Sequence, residues 1–173
     1  AENRMGEVSL YSLDAKTEIV QPNEISCFTP VAGKKKYSGN FALEFQGQNV
    51  PIGYMEFVEG TPHNGDLVIE KLTQENEWDY ILLNQYATCN FPGLHIYGYD
   101  ERNDGLALYT FKYKNGEMVF EIYGGLPSNF RAEYGDDFFT AVYDNTIGKE
   151  QTTQWRLNAQ ENLFEEVETR IVE

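Results

Sequence analysis

Along most of this chain apolar and polar residues alternate in short runs, and Gly, Pro, Asn and Asp separate the runs. Alternation with a period of two marks a strand with one buried face, because successive side chains point to opposite sides. The clearest run is Leu106–Tyr123, LALYTFKYKNGEMVFEIY. Asn115-Gly116 suits a two-residue type I′ turn, in which both central residues need positive φ. That turn predicts Lys114 opposite Glu117, Tyr113 opposite Met118, Phe111 opposite Phe120 and Tyr109 opposite Ile122. It puts the last three pairs on one face, with Tyr109 and Tyr113 in the core.

Other strands follow from the same pattern. Val8–Leu13 alternates after a polar, frayed stretch over 1–7. Ile25–Thr29 is a short piece between Pro22 and Pro30. Val31–Asn40, with Lys34-Lys35-Lys36 and two glycines, reads as an exposed loop. Phe41–Gln46 aligns Phe41, Leu43 and Phe45. After a turn at Gly47–Pro51, Ile52–Val58 sets Ile52, Tyr54, Glu56 and Val58 on one face and Met55 and Phe57 on the other. Asp66–Thr73 is led by Leu67 and Ile69. Asp79–Ala87 is apolar on both faces at its start, which suits an interior strand. Leu94–Tyr99 leads through Asp100–Gly105 into the hairpin, so strands at 79–87, 94–99, 106–113 and 117–123 are expected to form a four-stranded antiparallel meander. One helical turn is expected within Asn129–Gly135. Asp137–Asp144, Gln151–Asn158 and Leu163–Val172 complete the chain, the last with its odd-numbered face the more apolar. About ten short strands with frequent turns argue a single all-β domain over 1–173, built of antiparallel meanders as a sandwich, barrel or propeller-like stack.

Composition narrows the partners. The 173 residues carry 28 acids against 13 bases, a formal net charge of −15. Such a chain repels phosphate backbones, which sets nucleic acid aside, and attracts basic proteins or cations. The plain alternative is an acidic surface that serves solubility alone. No run approaches the roughly 18 apolar residues of a membrane-spanning helix. Cys27 and Cys89 lack the spacing of a zinc site and are the candidate disulfide, worth about 4 kcal/mol in the chain-entropy account; two buried thiols are the alternative. The start Ala-Glu-Asn is the pattern that signal-peptide cleavage leaves, and a chain trimmed at its start has the same look. With the cysteines it predicts a secreted or periplasmic protein.

Candidate chemistry is sparse. Asp100-Glu-Arg-Asn-Asp-Gly105 comes nearest to a metal loop. Calcium loops place oxygen ligands at alternating positions, with Gly at the sharp turn. Asp100, Asp104 and Gly105 fit the first, fifth and sixth places, but Arg102 stands in the third and Phe111 in the twelfth. A plain turn is the simpler reading. His63 and His95 lack zinc spacing and a flagged nucleophile, so each is read as a satisfied or exposed histidine. Asp136-Asp137 and Glu165-Glu166 point to opposite faces if extended, and a glycosidase pair depends on a separation in space that spacing along a chain does not give. Tyr97 and Tyr99 share a strand face with His95 and are expected at the surface, where tyrosine offers contact area at low entropy cost.

The phrases DYILLNQYAT, GLHIYGYD and LALYTFKYKNGEMVFEI within Asp79–Tyr123 resemble a blade of the FG-GAP/VCBS propeller-like secreted bacterial domains. VYDN at Val142–Asn145, followed by Trp155 and Phe164, resembles the closing strands of such a protein. The family's acidic calcium loop is replaced here by DERNDG. The resemblance implies a propeller-like sheet arrangement. It also implies kinship with inhibitors and immunity proteins that cap cell-wall hydrolases, many of them basic.

Together these readings predict a non-enzymatic extracytoplasmic protein that binds a basic protein partner. Tyr97, Tyr99, Asp100, Asp104, Asp136 and Asp137 are its candidate binding residues, and no cofactor is expected. The alternatives are a calcium- or carbohydrate-binding module, with Asp100 and Asp104 as metal candidates, and a carboxylate-based hydrolase.

Overall fold

The computed structural model describes residues 8–12, 14–24, 32–59, 70–73, 79–86, 92–100, 102–123, 137–158 and 160–172. These residues are mostly strand, with one 3-10 turn at Pro22–Glu24 and no α-helix among them. In chain order the strands are β1 (Val8–Ser12), β2 (Lys16–Ile19), β3 (Lys35–Phe45), β4 (Gln48–Val58), β5 (Glu70–Thr73), β6 (Asp79–Tyr86) and β7 (Pro92–Asp100). They continue as β8 (Gly105–Leu108), β9 (Thr110–Lys112), β10 (Met118–Val119), β11 (Ile122–Tyr123), β12 (Asp137–Asp144), β13 (Lys149–Asn158) and β14 (Leu163–Ile171).

Three sheets result, as the all-β expectation requires. The first holds β1 and β2 end to end along one edge of β3, with β4 on its other edge. The middle sheet runs β11-β7-β6-β5, with β8 beside β11 on the same edge of β7. The third runs β10-β9-β14-β13-β12. Two buried clusters join them. Phe41, Leu43, Phe45 and Met55 of the first sheet pack on Ile81, Leu83 and Tyr97 of the middle one. Leu94, Ile96 and Ile122 of the middle sheet pack on Phe111, Phe138, Trp155 and Phe164 of the third, with Tyr109 between. The middle sheet is therefore covered on both faces, and β6 is the interior strand its composition predicts. Among the described residues no sheet closes into a barrel or propeller.

The hairpin at 106–123 differs from expectation in register. Gly116 alone takes positive φ in this turn, at +88°. Its N–H donates to the Tyr113 carbonyl at 2.9 Å, and the Tyr113 N–H donates to the Glu117 carbonyl at 2.8 Å. The loop is thus three residues long, a tight turn followed by a left-handed Gly. The Asn115 Oδ1 accepts the Glu117 N–H at 2.8 Å, so its side chain braces the turn. One extra loop residue moves every pair by one: Met118 lies opposite Lys112 and Val119 opposite Phe111. Val119 turns to the core, while Met118 and Phe120 are 58% and 59% exposed. Tyr109 is fully buried, as predicted.

The four-stranded meander also divides. Tyr109 is the crossing point. Its N–H donates to the Ile96 carbonyl at 2.8 Å, and beyond it the chain leaves the middle sheet for the third. Gly98 makes the crossing possible, since a Cβ there would lie 2.7 Å from the Tyr109 ring. β9 then pairs in parallel with β14, Phe111 against Phe164, where only antiparallel pairing was expected.

The type I′ turn stands instead at Gln46-Gly47, with φ of 48° and 79°. It starts β4 at Gln48, within the expected 47–51 turn. A bulge at Phe41/Ala42 then shifts the faces. Met55 is buried and Tyr54 is 60% exposed. β2 went unpredicted because all four of its residues are solvent-exposed and show no alternation. Lys35–Asn40, expected as loop, begins β3. In β14 odd-numbered Leu163 and even-numbered Phe164 are both buried, at 3% exposure each, while odd-numbered Ile171 at the far end is 53% exposed; a bulge interrupts the pairing opposite Gln154/Trp155. The pieces at 25–29 and 129–135 lie outside the described residues.

Candidate functional site

The Asp100–Gly105 connection joins β7 to β8 and gathers three of the predicted site residues. Asp100 ends β7 almost wholly buried, at 3% exposure. Its carbonyl accepts the Asn103 N–H at 3.2 Å, which closes the turn. Its Oδ1 accepts the Arg102 backbone N–H at 3.0 Å and the Arg102 Nε–H at 2.9 Å. Its Oδ2 accepts from Arg102 Nη2 at 3.3 Å and from Asn103 Nδ2 at 2.7 Å. The Asn162 side chain adds a further bond from the β13–β14 turn. Above all the Arg102 guanidinium holds the Asp100 carboxyl down to about 2, the remaining donors overcoming the cost of burial.

Asp104 sits at φ +49°, a left-handed conformation that Asp tolerates. Its Oδ1 accepts the Tyr99 hydroxyl, and its carbonyl accepts from Gln48 Nε2 at 3.1 Å. Gln48 comes from the first sheet and Asn162 from the third turn region, so this loop ties together all three sheets. Tyr99 also lies edge-on to Phe45, with ring centroids 6.0 Å apart.

The donor set does not fit calcium. Both Asp100 oxygens face N–H groups, and Arg102 supplies a positive charge where a metal loop needs an oxygen ligand. Among the described residues no group of three or more His, Cys, Asp and Glu side chains comes together.

Tyr97 corrects the sequence expectation. It is 3% exposed and belongs to the core between the first and middle sheets, and burial pushes its phenol up to about 12. Its strand face is surface-like only in a sheet with one open side. Asp137 lies away from the loop, on the edge strand β12. It pairs with Arg156 at 3.2 Å and accepts from Gln154. Asp137 ends a cross-strand row in which Lys112, Glu165, Arg156 and Asp137 alternate in sign, with Lys112 and Glu165 3.2 Å apart. Asp136, His63, Cys27 and Cys89 lie outside the described residues.

His95 has surroundings that its sequence context did not announce. Its Nε2 is 3.5 Å from the Glu121 Oε2, while its buried Nδ1 has no hydrogen-bond partner among the described residues. Gly93 makes room for Glu121, whose carboxyl carbon would be 2.6 Å from a Cβ there. Burial depresses the His95 pKa, and Glu121 opposes this only in part. The pair exists because β11 docks on β7, a contact that no local signal encodes.

Among the described residues no helix is long and apolar enough to cross a membrane. Comparison with protein-family models, with curated proteins and with solved structures gives no match.

Proposed function

We propose that this chain is a non-enzymatic binding protein for a basic protein partner. The observation that carries the reading is how its acidity is distributed. The buried or half-buried carboxylates Asp100 and Asp137 are matched internally by Arg102 and Arg156. Among the described residues Glu18, Glu44, Glu59, Glu117, Glu150 and Glu161 are all exposed, in a chain of net charge −15. Carboxylates engaged by guanidinium groups are poor proton acceptors and poor metal ligands. Exposed ones steer a cationic protein and set its on-rate and salt dependence more than its affinity.

An extracytoplasmic setting and an inhibitor- or immunity-type role against a basic cell-wall hydrolase form the finer part of this proposal. They rest on the resemblance of the 79–123 stretch. The experiment is capture from a native cell-envelope extract at low salt, with a salt gradient for elution and mass spectrometry for detection. One basic protein leaving at moderate salt is the expected outcome. A neutral partner held independently of salt would refute the proposal. So would tryptophan fluorescence that shifts on calcium or glycan addition while no protein is retained.

A further inference from the structure

We propose that Asn115 is a self-modification site: the Gly116 backbone nitrogen attacks its side-chain amide, and the product unlatches β10 from β9. The inference concerns the chain's own chemistry and stands apart from the partner reading. Asn115 and Gly116 are both exposed in the β9–β10 turn. Glycine sets no side chain against the attack. The Glu117 N–H donates to Asn115 Oδ1 at 2.8 Å. That oxygen takes up negative charge as the nitrogen adds to Cγ, and a donor already in place favours such charge. One bond opposes the step. The Gly116 N–H donates to the Tyr113 carbonyl at 2.9 Å, and this bond has to open before the nitrogen can turn onto Cγ. A single hydrogen bond has a small net worth, so opening it slows the attack by no more than about tenfold.

The step needs only water. The Gly116 nitrogen gives its proton to solvent and bonds to Cγ of Asn115. The Cγ–Nδ2 bond breaks, and ammonia leaves with a proton taken from water. The five-membered imide then takes up one water molecule. Opening at the new bond gives aspartate at position 115. Opening at the main-chain bond gives isoaspartate, with the chain routed through the side chain. Neither product fits the turn as Asn115 does. Asn115 Nδ2 faces Glu117 Oε2 at 3.5 Å, so a carboxylate there brings like charges together. The same turn already holds the Glu166 carboxylate, whose Oε2 accepts the Lys114 N–H at 3.0 Å. Isoaspartate lengthens the three-residue loop by one main-chain atom, which displaces the Tyr113 N–H from the Glu117 carbonyl, now 2.8 Å away. The two pairs that join β10 to β9, Met118 with Lys112 and Val119 with Phe111, depend on that closure.

The test ages the full chain in mildly alkaline buffer, folded and, in parallel, unfolded in urea. Tryptic mapping by mass spectrometry then reads the fragment that holds Asn115. The chain's other Asn-Gly pair, Asn64-Gly65, lies outside the described residues and falls in a separate fragment. Aspartate and isoaspartate should form at position 115 in the folded chain at a rate within about tenfold of the unfolded one. Asn115→Gln should stay unmodified, because its longer side chain would have to close a six-membered ring. In the aged folded protein, amide exchange at Tyr113 should quicken at least about tenfold as the turn opens. Asn115→Asp supplies one product directly and should quicken the same amide. A folded chain that stays intact at Asn115 after the unfolded chain has reacted would overturn the proposal, since the turn would then protect the residue. So would a fully modified chain whose Tyr113 exchange matches that of fresh protein, since β10 would then remain latched.

Discussion

Replacing Asp100 with Asn removes the charge that organises the β7–β8 loop and leaves its shape. The carboxylate accepts from Arg102, Asn103 and Asn162 while only 3% exposed. An amide nitrogen in its place turns a donor toward those donors. The stabilisation is bounded by the gap between the ordinary 3.8 and about 2, which corresponds to roughly 2 kcal/mol at 1.36 kcal/mol for each pKa unit. Arg102 is 57% exposed, and screening by solvent reduces this to about 1–2 kcal/mol. Because the folded-state pKa is the lower one, the unfolded chain binds the proton first. The contribution is complete above the ordinary value and is lost as pH falls from about 4 to about 2. Urea unfolding should therefore show Asp100→Asn weaker than wild type by about 1–2 kcal/mol at pH 7, with the two curves converging at the acid end. A constant difference across the whole range would mean that shape, not charge, is what Asp100 supplies. No difference at pH 7 would refute the bonding scheme.

Three further outcomes follow from single contacts. Burial depresses the His95 pKa, so the unfolded state takes up the proton first and stability should decline as pH drops below about 6.5; thermal melts of wild type and His95→Leu should diverge in pH dependence across that range, and parallel curves would contradict it. Gly98→Ala puts a methyl 2.7 Å from the Tyr109 ring and should cost about 1–3 kcal/mol through overpacking, read as a lower urea midpoint. Gln46→Asn puts a residue tolerant of left-handed backbone at φ 48° beside Gly47 and should raise the midpoint by a few tenths of a kcal/mol, roughly the scale of a compatible turn substitution.

How much was legible varies by element. β12, β13 and β14 lie close to their expected places because each is a run of strand-forming residues bounded by clear turn residues. The 79–86 strand was legible as interior because it is apolar on both sides. β2 was not, because an exposed edge strand need not alternate. In the candidate site, Tyr99, Asp100 and Asp104 come together because they are local in sequence. Asp137 stands apart with Arg156, and Tyr97 is core. The His95–Glu121 pair was out of reach, since it depends on two strands separated by a whole hairpin.

What the sequence determined by itself was the kind of structure: strands, their approximate bounds, and an acidic surface. These follow from side-chain alternation, turn residues and charge, which act within a few residues. The tertiary structure decided which face each strand buries and which sheet it joins. One extra residue in the loop at Lys114–Gly116 turns Met118 and Phe120 from core to edge, and Tyr109 carries one continuous run from the middle sheet to the third. Register has a period of two, so a one-residue change inverts every face beyond it. Sheet membership depends on which distant apolar surfaces remain to be covered, and only the packed chain settles that.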